Sequence, residues 1–184
     1  DEGKGVEKDE KEAEEWFENA ADQDQGQRSA SWCAFGGMLA TGKGVEQDFK
    51  EAVKWYQKAA DQGFAEGQFN LGRMYYFGKG VERDSKEAFK WFQKAADQGY
   101  AAAQHHLGVM YRKGQGVEQD FKEAVKWYQK AADQGDANGQ YNLGFMYRNG
   151  KGVVQDFKEP VMWYEKAADQ GLALVFFFFF SFFF

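Results

Sequence analysis

The side chains best suited to binding a partner are lysines and glutamines that recur at intervals of 36 residues. The first three sets are Lys50, Lys54, Gln57 and Lys58; Lys86, Lys90, Gln93 and Lys94; and Lys122, Lys126, Gln129 and Lys130. The fourth set differs at two positions and contains Lys158, Met162, Glu165 and Lys166. Within each set, most members are three, four, seven or eight residues apart, and residues at these separations share one face of a helix. A face of this kind would attract an acidic segment of another protein.

Two interpretations of this lysine face stay open. Lysine favours helices and pairs with glutamate three residues away, as Glu51 could with Lys54, so the face is also typical of an ordinary solvated helix. Under the alternative, the lysine face binds a protein or peptide partner that is acidic. The candidate partner-binding residues are then Lys54, Gln57, Lys90, Gln93, Lys126 and Gln129.

Other residues that could carry chemistry have simpler structural explanations. Gly42-Lys43-Gly44 begins like a phosphate loop, but it follows a predicted helix and lacks the rest of either nucleotide motif. The only histidines, His105 and His106, diverge by about 100° on a helix and cannot share a metal as an i, i+4 pair does. The single cysteine, Cys33, is predicted to be a small buried side chain. We therefore predict no catalytic residue, no metal site and no cofactor.

The composition narrows the classes of partner and compartment. The chain has 29 acidic against 23 basic residues and a formal net charge of -6. Binding to nucleic acid or to an anionic membrane needs a basic surface, so neither is predicted. One cysteine cannot form an internal disulfide, and no N-glycosylation sequon or signal peptide is present. These features leave the compartment open and mildly favour the cytoplasm.

A 36-residue repeat positions the candidate side chains. Trp55, Trp91, Trp127 and Trp163 share this spacing, and the unit reads G-x-G-V-x-x-D-x-x-E-A-x-x-W-[FY]-x-K-A-A-D-Q-G-x-A-x-x-Q-x-x-L-G-x-M-Y. Each unit predicts two helices. The first begins with a capping box, an aspartate followed three residues later by a glutamate, as in Asp48 and Glu51. It ends at a glycine such as Gly63.

The second helix of each unit carries a recurring glycine. Interior glycine costs a helix about 1 kcal/mol relative to alanine, so its return predicts a close helix crossing that a Cβ would obstruct. These positions are Gly72, Gly108 and Gly144. No unit can bury its apolar stripe alone, so neighbouring units must stack. The predicted fold is all-α: a right-handed α-α superhelical solenoid of antiparallel helix pairs.

The repeat predicts the organisation of the chain and two irregular ends. Its predicted segments are an inter-repeat turn remnant (1–8), a degenerate repeat 1 (9–47), repeats 2 to 4 (48–83, 84–119 and 120–155), a truncated repeat 5 with only its first helix (156–173) and a Phe-rich tail (174–184). Extra residues near Gln23 to Arg28 predict a longer, looser turn. Pro160 replaces a repeat alanine and predicts a poorly started last helix. The sequence is interpreted as a fragment of a longer protein.

The repeat unit resembles the Sel-1-like repeat family, relatives of the tetratricopeptide repeat. G-x-G-V-x-x-D, E-A-x-x-W-[FY]-x-K-A-A and L-G-x-M-Y carry the resemblance, over about residues 3 to 173. It implies a scaffold or adaptor for protein–protein interactions and no enzyme activity. One alternative is a membrane-tethered quality-control adaptor, if the apolar tail is a truncated anchor. Another is the cysteine-rich branch that binds or hydrolyses β-lactams, which the lone cysteine disfavours.

Overall fold

The protein is represented by a computed structural model, in which the structure describes residues 25–171 together with Glu12 and Glu15. Within residues 25–171 the chain forms eight α-helices and no strands. They are α1 (Gln25–Thr41), α2 (Phe49–Asp61), α3 (Ala65–Phe77), α4 (Ser85–Asp97), α5 (Ala101–Lys113), α6 (Phe121–Asp133), α7 (Ala137–Arg148) and α8 (Glu159–Asp169). The predicted turn remnant (1–8) and the Phe-rich tail (174–184) lie outside the described residues.

The helices form two compact units, Asp1–Ala95 and Ala96–Phe184. In the first unit α1 packs on α2 and α2 on α3, and the core contains Phe35, Trp55 and Leu71. In the second unit α5 packs on α6, α6 on α7 and α7 on α8. Tyr128 and Leu143 are fully buried there. Short connections between consecutive helices make neighbours antiparallel, so each unit buries the apolar stripes that single helices leave exposed.

An aspartate caps α2, α4 and α6, as predicted, and Asp156 makes the same hydrogen bonds just before α8, whose N-cap residue is Lys158. The Asp48 carboxylate accepts hydrogen bonds from the backbone N–H groups of Lys50 (2.8 Å) and Glu51 (3.0 Å). The aspartates at the equivalent positions do the same: Asp84, Asp120 and Asp156. Each cap satisfies two N–H groups that would otherwise lack partners in the first turn.

The second half of the predicted capping box is wrong. The N–H of Asp48 donates to the carbonyl of Leu39 on α1 at 3.0 Å, so it is not available to Glu51. The other capping aspartates donate in the same way to Tyr75, Tyr111 and Tyr147. Packing of the preceding helix supplies an acceptor that the local sequence does not show. The glutamate is thereby released to pair with a lysine.

The interior glycines mark close helix crossings, as predicted. A Cβ on Gly72 would lie 2.8 Å from the Phe92 ring, and one on Gly108 would lie 2.5 Å from the Tyr128 ring. A Cβ on Gly144 would lie 2.9 Å from Tyr164. Carbon atoms in contact prefer about 3.5–4.0 Å, so any side chain here would displace the ring. The aromatic residue after each repeat tryptophan therefore packs directly on a helix backbone.

Adjacent glycines on α1 allow a matched test of this crossing. A Cβ on Gly36 would lie 2.9 Å from the Tyr56 ring and 3.3 Å from the Ala52 carbonyl oxygen, whereas one on Gly37 meets only the Tyr56 hydroxyl at 3.8 Å. We expect Gly37→Ala to raise the free energy of unfolding by about 0.5–1 kcal/mol, since alanine favours the helix. Gly36→Ala should lower it by about 1–3 kcal/mol through overpacking. Urea denaturation followed by circular dichroism measures both, and two changes of the same sign would contradict the prediction.

Of the two predictions about the irregular ends, the structure contradicts the first and confirms the second. The looser turn predicted near Gln23 to Arg28 is wrong from Gln25 onward, because α1 begins at Gln25; positions 23 and 24 lie outside the described residues. The prediction for Pro160 is confirmed. Helix α8 begins at Glu159, whereas α2 begins one residue after its capping aspartate. Pro160 has no N–H, so it cannot donate to the Asp156 carbonyl as Ala52 donates to the Asp48 carbonyl at 3.0 Å, and the helix starts later.

Candidate partner-binding surface

The first helices of the repeats separate into a buried face and a charged exposed face. On α2, Ala52 and Ala59 are fully buried and Trp55 is 1% exposed, while Lys54 and Lys58 are exposed. The same division occurs on α4, α6 and α8. Apolar residues at helical spacing drive the first face into the core. The lysines are thereby presented on the opposite side.

The central lysine of each intact set is held by a glutamate on its own helix. The Nζ of Lys54 lies 2.5 Å from the Glu51 carboxylate, Lys90 lies 2.7 Å from Glu87, and Lys126 lies 2.5 Å from Glu123. The hydrogen bond that each ammonium donates to its glutamate raises the pKa of Lys90 and of Lys126. These lysine side chains remain 65–68% exposed. The i, i+3 pairing that the sequence suggested is thus present.

The candidate glutamines are also engaged within their helices. The Nε2 of Gln57 donates to the Asp61 carboxylate at 2.7 Å, and Gln129 donates to Asp133 at 2.8 Å. Gln57, Gln93 and Gln129 are all half-buried. Each glutamine follows its lysine by three residues and therefore lies beside it on the helix. The predicted candidates form adjacent Lys–Gln pairs on α2, α4 and α6.

The last lysine of each set lies over a tryptophan ring. The Nζ lies 3.8 Å from the ring centroid for Lys58 over Trp55, and 3.9 Å for both Lys94 over Trp91 and Lys130 over Trp127. Lys166 lies 4.4 Å from the Trp163 centroid. Distances within about 6 Å define a cation–π contact. The candidate set chosen from the sequence missed these lysines, although the W-x-x-K spacing recurs in all four sets.

The tryptophans offer their ring faces rather than hydrogen bonds. The buried Nε1 atoms of Trp55, Trp91 and Trp163 have no hydrogen-bond partner in the part of the chain that the structure describes. A buried N–H without a partner costs about 1–3 kcal/mol. Its return in several repeats shows that the indole contributes apolar area and a π face at this position.

The fourth set interrupts the charged row. Met162 replaces the central lysine and is 39% exposed, and Glu165 replaces the glutamine. Val161 and Phe157 beside it are 40% and 57% exposed. The exposed side of α8 is accordingly more apolar than that of α2, α4 or α6.

Cys33 and His105 each contact a neighbouring helix, whereas His106 bonds to a carbonyl of its own helix. Cys33 is buried, and the Asn70 amide donates to its Sγ at 3.5 Å; burial raises the pKa of the thiol to about 11. A thiolate nucleophile needs a lowered pKa, so this cysteine lacks that activation. The Asn142 amide lies 3.2 Å from Nε2 of His105, and Nδ1 of His106 lies 2.9 Å from the Ala102 carbonyl.

The described residues contain neither a metal-binding cluster nor a membrane-spanning helix. No group of three or more His, Cys, Asp or Glu side chains there could hold a metal ion. Across residues 25–171, none of the helices has both the length and the apolar character needed to cross a membrane. The exposed lysine face of the first helices is the feature of these residues that remains to be explained.

The fold and this surface define an all-helical repeat protein, and comparisons with known proteins give its family. The Sel1 repeat model matches residues 1–25, 34–64, 65–100, 101–136 and 137–172, so the chain belongs to the Sel1 repeat family. The predicted resemblance and the all-α solenoid fold with its 36-residue repeat are confirmed. Sel1 repeats generally serve as protein–protein interaction scaffolds. The predicted repeat boundaries 48–83, 84–119 and 120–155 begin each repeat at a different residue from the family model, and they stay predictions.

Solved structures agree with this assignment. The Sel1 repeat protein from Oxalobacter formigenes is 39% identical, with a TM-score of 0.73 over 78% of this chain and 57% of that one. A protective antigen of uropathogenic Escherichia coli with an SLR fold is 34% identical, with a TM-score of 0.61 over 88% and 42%. Cysteine rich protein B of Helicobacter pylori is 28% identical, with a TM-score of 0.56 over 73% and 96%. The chain thus spans about half the length of the first two. No curated protein matches it significantly.

Proposed function

We propose that this chain is a non-enzymatic scaffold that binds an acidic segment of another protein on the exposed face of its first helices. One observation carries the proposal: the same lysine-rich face recurs on α2, α4 and α6, with the central lysines 65–68% exposed. The need to pack a core explains why the buried faces of these helices carry the same residues. It does not require that the opposite face repeat the same charged side chains.

The electrostatics of this face favour an acidic partner. Every set on α2, α4 and α6 has three lysines against one glutamate and one aspartate on the same helix. The face is therefore locally basic although the whole chain carries a net charge of -6. Local positive potential speeds the encounter with an acidic segment and weakens as salt screens it. Nucleic acid, with its dense charge, is disfavoured by the overall acidity of the chain.

Charge reversal at the central lysines tests the proposal. The triple variant Lys54→Glu/Lys90→Glu/Lys126→Glu should lose at least about tenfold in affinity for a fluorescein-labelled oligoglutamate peptide, because each substitution replaces attraction with repulsion. Fluorescence anisotropy at low salt measures the affinity, with an oligoglutamine peptide of equal length as the reference. Helical circular dichroism should stay unchanged. Unchanged affinity of the variant, or no binding by the unmodified chain, would overturn the proposal.

A matched control separates this surface from total charge. Glu46→Lys, Glu82→Lys and Glu118→Lys change exposed residues in the loops before the first helices. They alter the net charge in the opposite sense without touching the lysine face. Binding to oligoglutamate should increase modestly in this control if long-range attraction contributes, and the increase should be smaller than the loss in the triple variant.

The non-enzymatic part of the proposal is tested by nitrocefin hydrolysis, which should stay at the background rate.

A further inference from the structure

The central lysine and the lysine four residues after it contact different kinds of side chain. Lys90 and Lys126 are each paired with a glutamate at 2.5–2.7 Å. Lys94 and Lys130, four residues later, lie 3.9 Å from the centroid of a tryptophan ring. Lys166 lies over Trp163 in the same way. Lys94, Lys130 and Lys166 are exposed and make no ion pair with any residue in the described part of the chain.

These two environments leave the ammonium groups unequally available to an incoming carboxylate. A partner carboxylate that approaches Lys90 or Lys126 must share the charge with a glutamate already bound there. The tryptophan ring attracts an ammonium through its quadrupole and carries no formal charge, so it leaves the positive charge uncompensated. An ammonium group has three N–H donors, and the ring face does not replace their oxygen acceptors.

The ring also fixes the position of the lysine. A free lysine loses considerable rotamer entropy when it is immobilised by a partner, which reduces the net gain from the contact. Trp91, Trp127 and Trp163 are 7–8% exposed and are themselves held by the core. Their rings therefore hold the lysine stem and ammonium against a rigid support before any partner binds.

We propose that Lys94 on α4, Lys130 on α6 and Lys166 on α8 are each an anchor point for a carboxylate of an acidic protein segment. This inference rests on the proposed function and changes the residues that carry it. The central lysines, which the sequence analysis selected as candidates, then contribute to the local potential of the surface. The ring-held lysines make the direct contacts.

An acidic protein segment fits these anchors better than a nucleic acid does. Carboxylates lie on the same helices, for example Glu123 and Asp133 on α6. They repel a polyanion with a charge at every nucleotide. An acidic protein segment can present a glutamate or aspartate to an anchor without carrying a charge at every residue. A single-stranded oligonucleotide therefore serves as the competing probe, and tight binding of it in preference to oligoglutamate would overturn this choice of partner.

The test compares two rows of lysines by neutral substitution. Lys94→Gln/Lys130→Gln/Lys166→Gln should weaken binding of fluorescein-labelled oligoglutamate by at least about tenfold. The matched control, Lys54→Gln/Lys90→Gln/Lys126→Gln, removes the same number of charges from the exposed faces of first helices and should weaken binding by less than about threefold. Equal losses, or a larger loss in the control, would overturn the inference.

Two further measurements keep the result interpretable. Lys94→Arg/Lys130→Arg/Lys166→Arg retains the charge and the stacking on the ring, so it should keep binding within about threefold of the unmodified chain. Circular dichroism should show equal helix content in all three variants. If the unmodified chain does not bind oligoglutamate, the proposed function fails. If it binds and the two glutamine variants lose affinity equally, only the assignment of the anchors fails.

Discussion

Gly80→Ala is expected to lower the free energy of unfolding by about 4 kcal/mol or more, at the exceptional end for a single substitution. Gly80 has φ +72 in the loop between α3 and α4, and a Cβ there would lie 2.1 Å from the carbonyl oxygen of Phe49. The obstacle is backbone at the first residue of α2, which cannot rotate away as a side chain can. Relief of the clash requires the loop to move off the start of α2. Urea denaturation followed by circular dichroism measures the loss.

Gly63→Ala is the matched control for this prediction. Gly63 also has a positive φ, +82, but no atom lies within 4 Å of the Cβ that alanine would add. Only the left-handed backbone opposes this substitution, which costs about 1–2 kcal/mol. The difference between the two variants isolates the contact between the loop and α2. Equal losses at both positions would show that backbone conformation alone accounts for the effect of Gly80→Ala.

Acidification from pH 7 to pH 5 should lower the free energy of unfolding by up to about 2 kcal/mol through His105. Burial is the main cause that lowers the pKa of His105, to about 3 in the folded chain from 6.5. The positive charges of His106 and Arg112 lower it further, and the facing Asn142 and Tyr128 side chains are neutral. The folded state thus binds fewer protons than the unfolded state between pH 6.5 and 3, and stability falls as the pH falls through that window.

The repeat itself supplies the variant that tests this pH dependence. Tyr141 occupies the position of His105 in the next repeat and contacts Tyr164 as His105 contacts Tyr128. His105→Tyr should therefore retain the packing and flatten the loss of stability between pH 7 and 5. His106→Asn, which introduces the residue type that Asn142 has at the equivalent position, should retain most of that loss. Urea denaturation at each pH gives the comparison, and an unchanged slope in His105→Tyr would refute the role of this side chain.

The sequence by itself determined the repeat, the helix pairs and their close crossings. These features depend on residues a few positions apart or on identical residues 36 positions apart. Asp48 can cap only the helix that follows it, and Gly72 is an interior glycine whose cost in a helix requires a packing reason. Pro160 delays α8 because it has no N–H to donate to the carbonyl of the residue four positions earlier. Local causes of this kind are present in any repeat of the same sequence, whatever surrounds it.

Only the tertiary structure decided which groups each charged side chain meets on the lysine face. The N–H of Asp48 finds the Leu39 carbonyl because α1 packs beside the start of α2, and this contact leaves Glu51 to bind Lys54. The tryptophan beneath Lys94 presents its face because the core fixes the indole. Sequence spacing places lysine, glutamate and tryptophan within reach of one another, but several pairings satisfy it. The neighbouring helix decides between these pairings because its carbonyl accepts the aspartate N–H and the core buries the tryptophan ring.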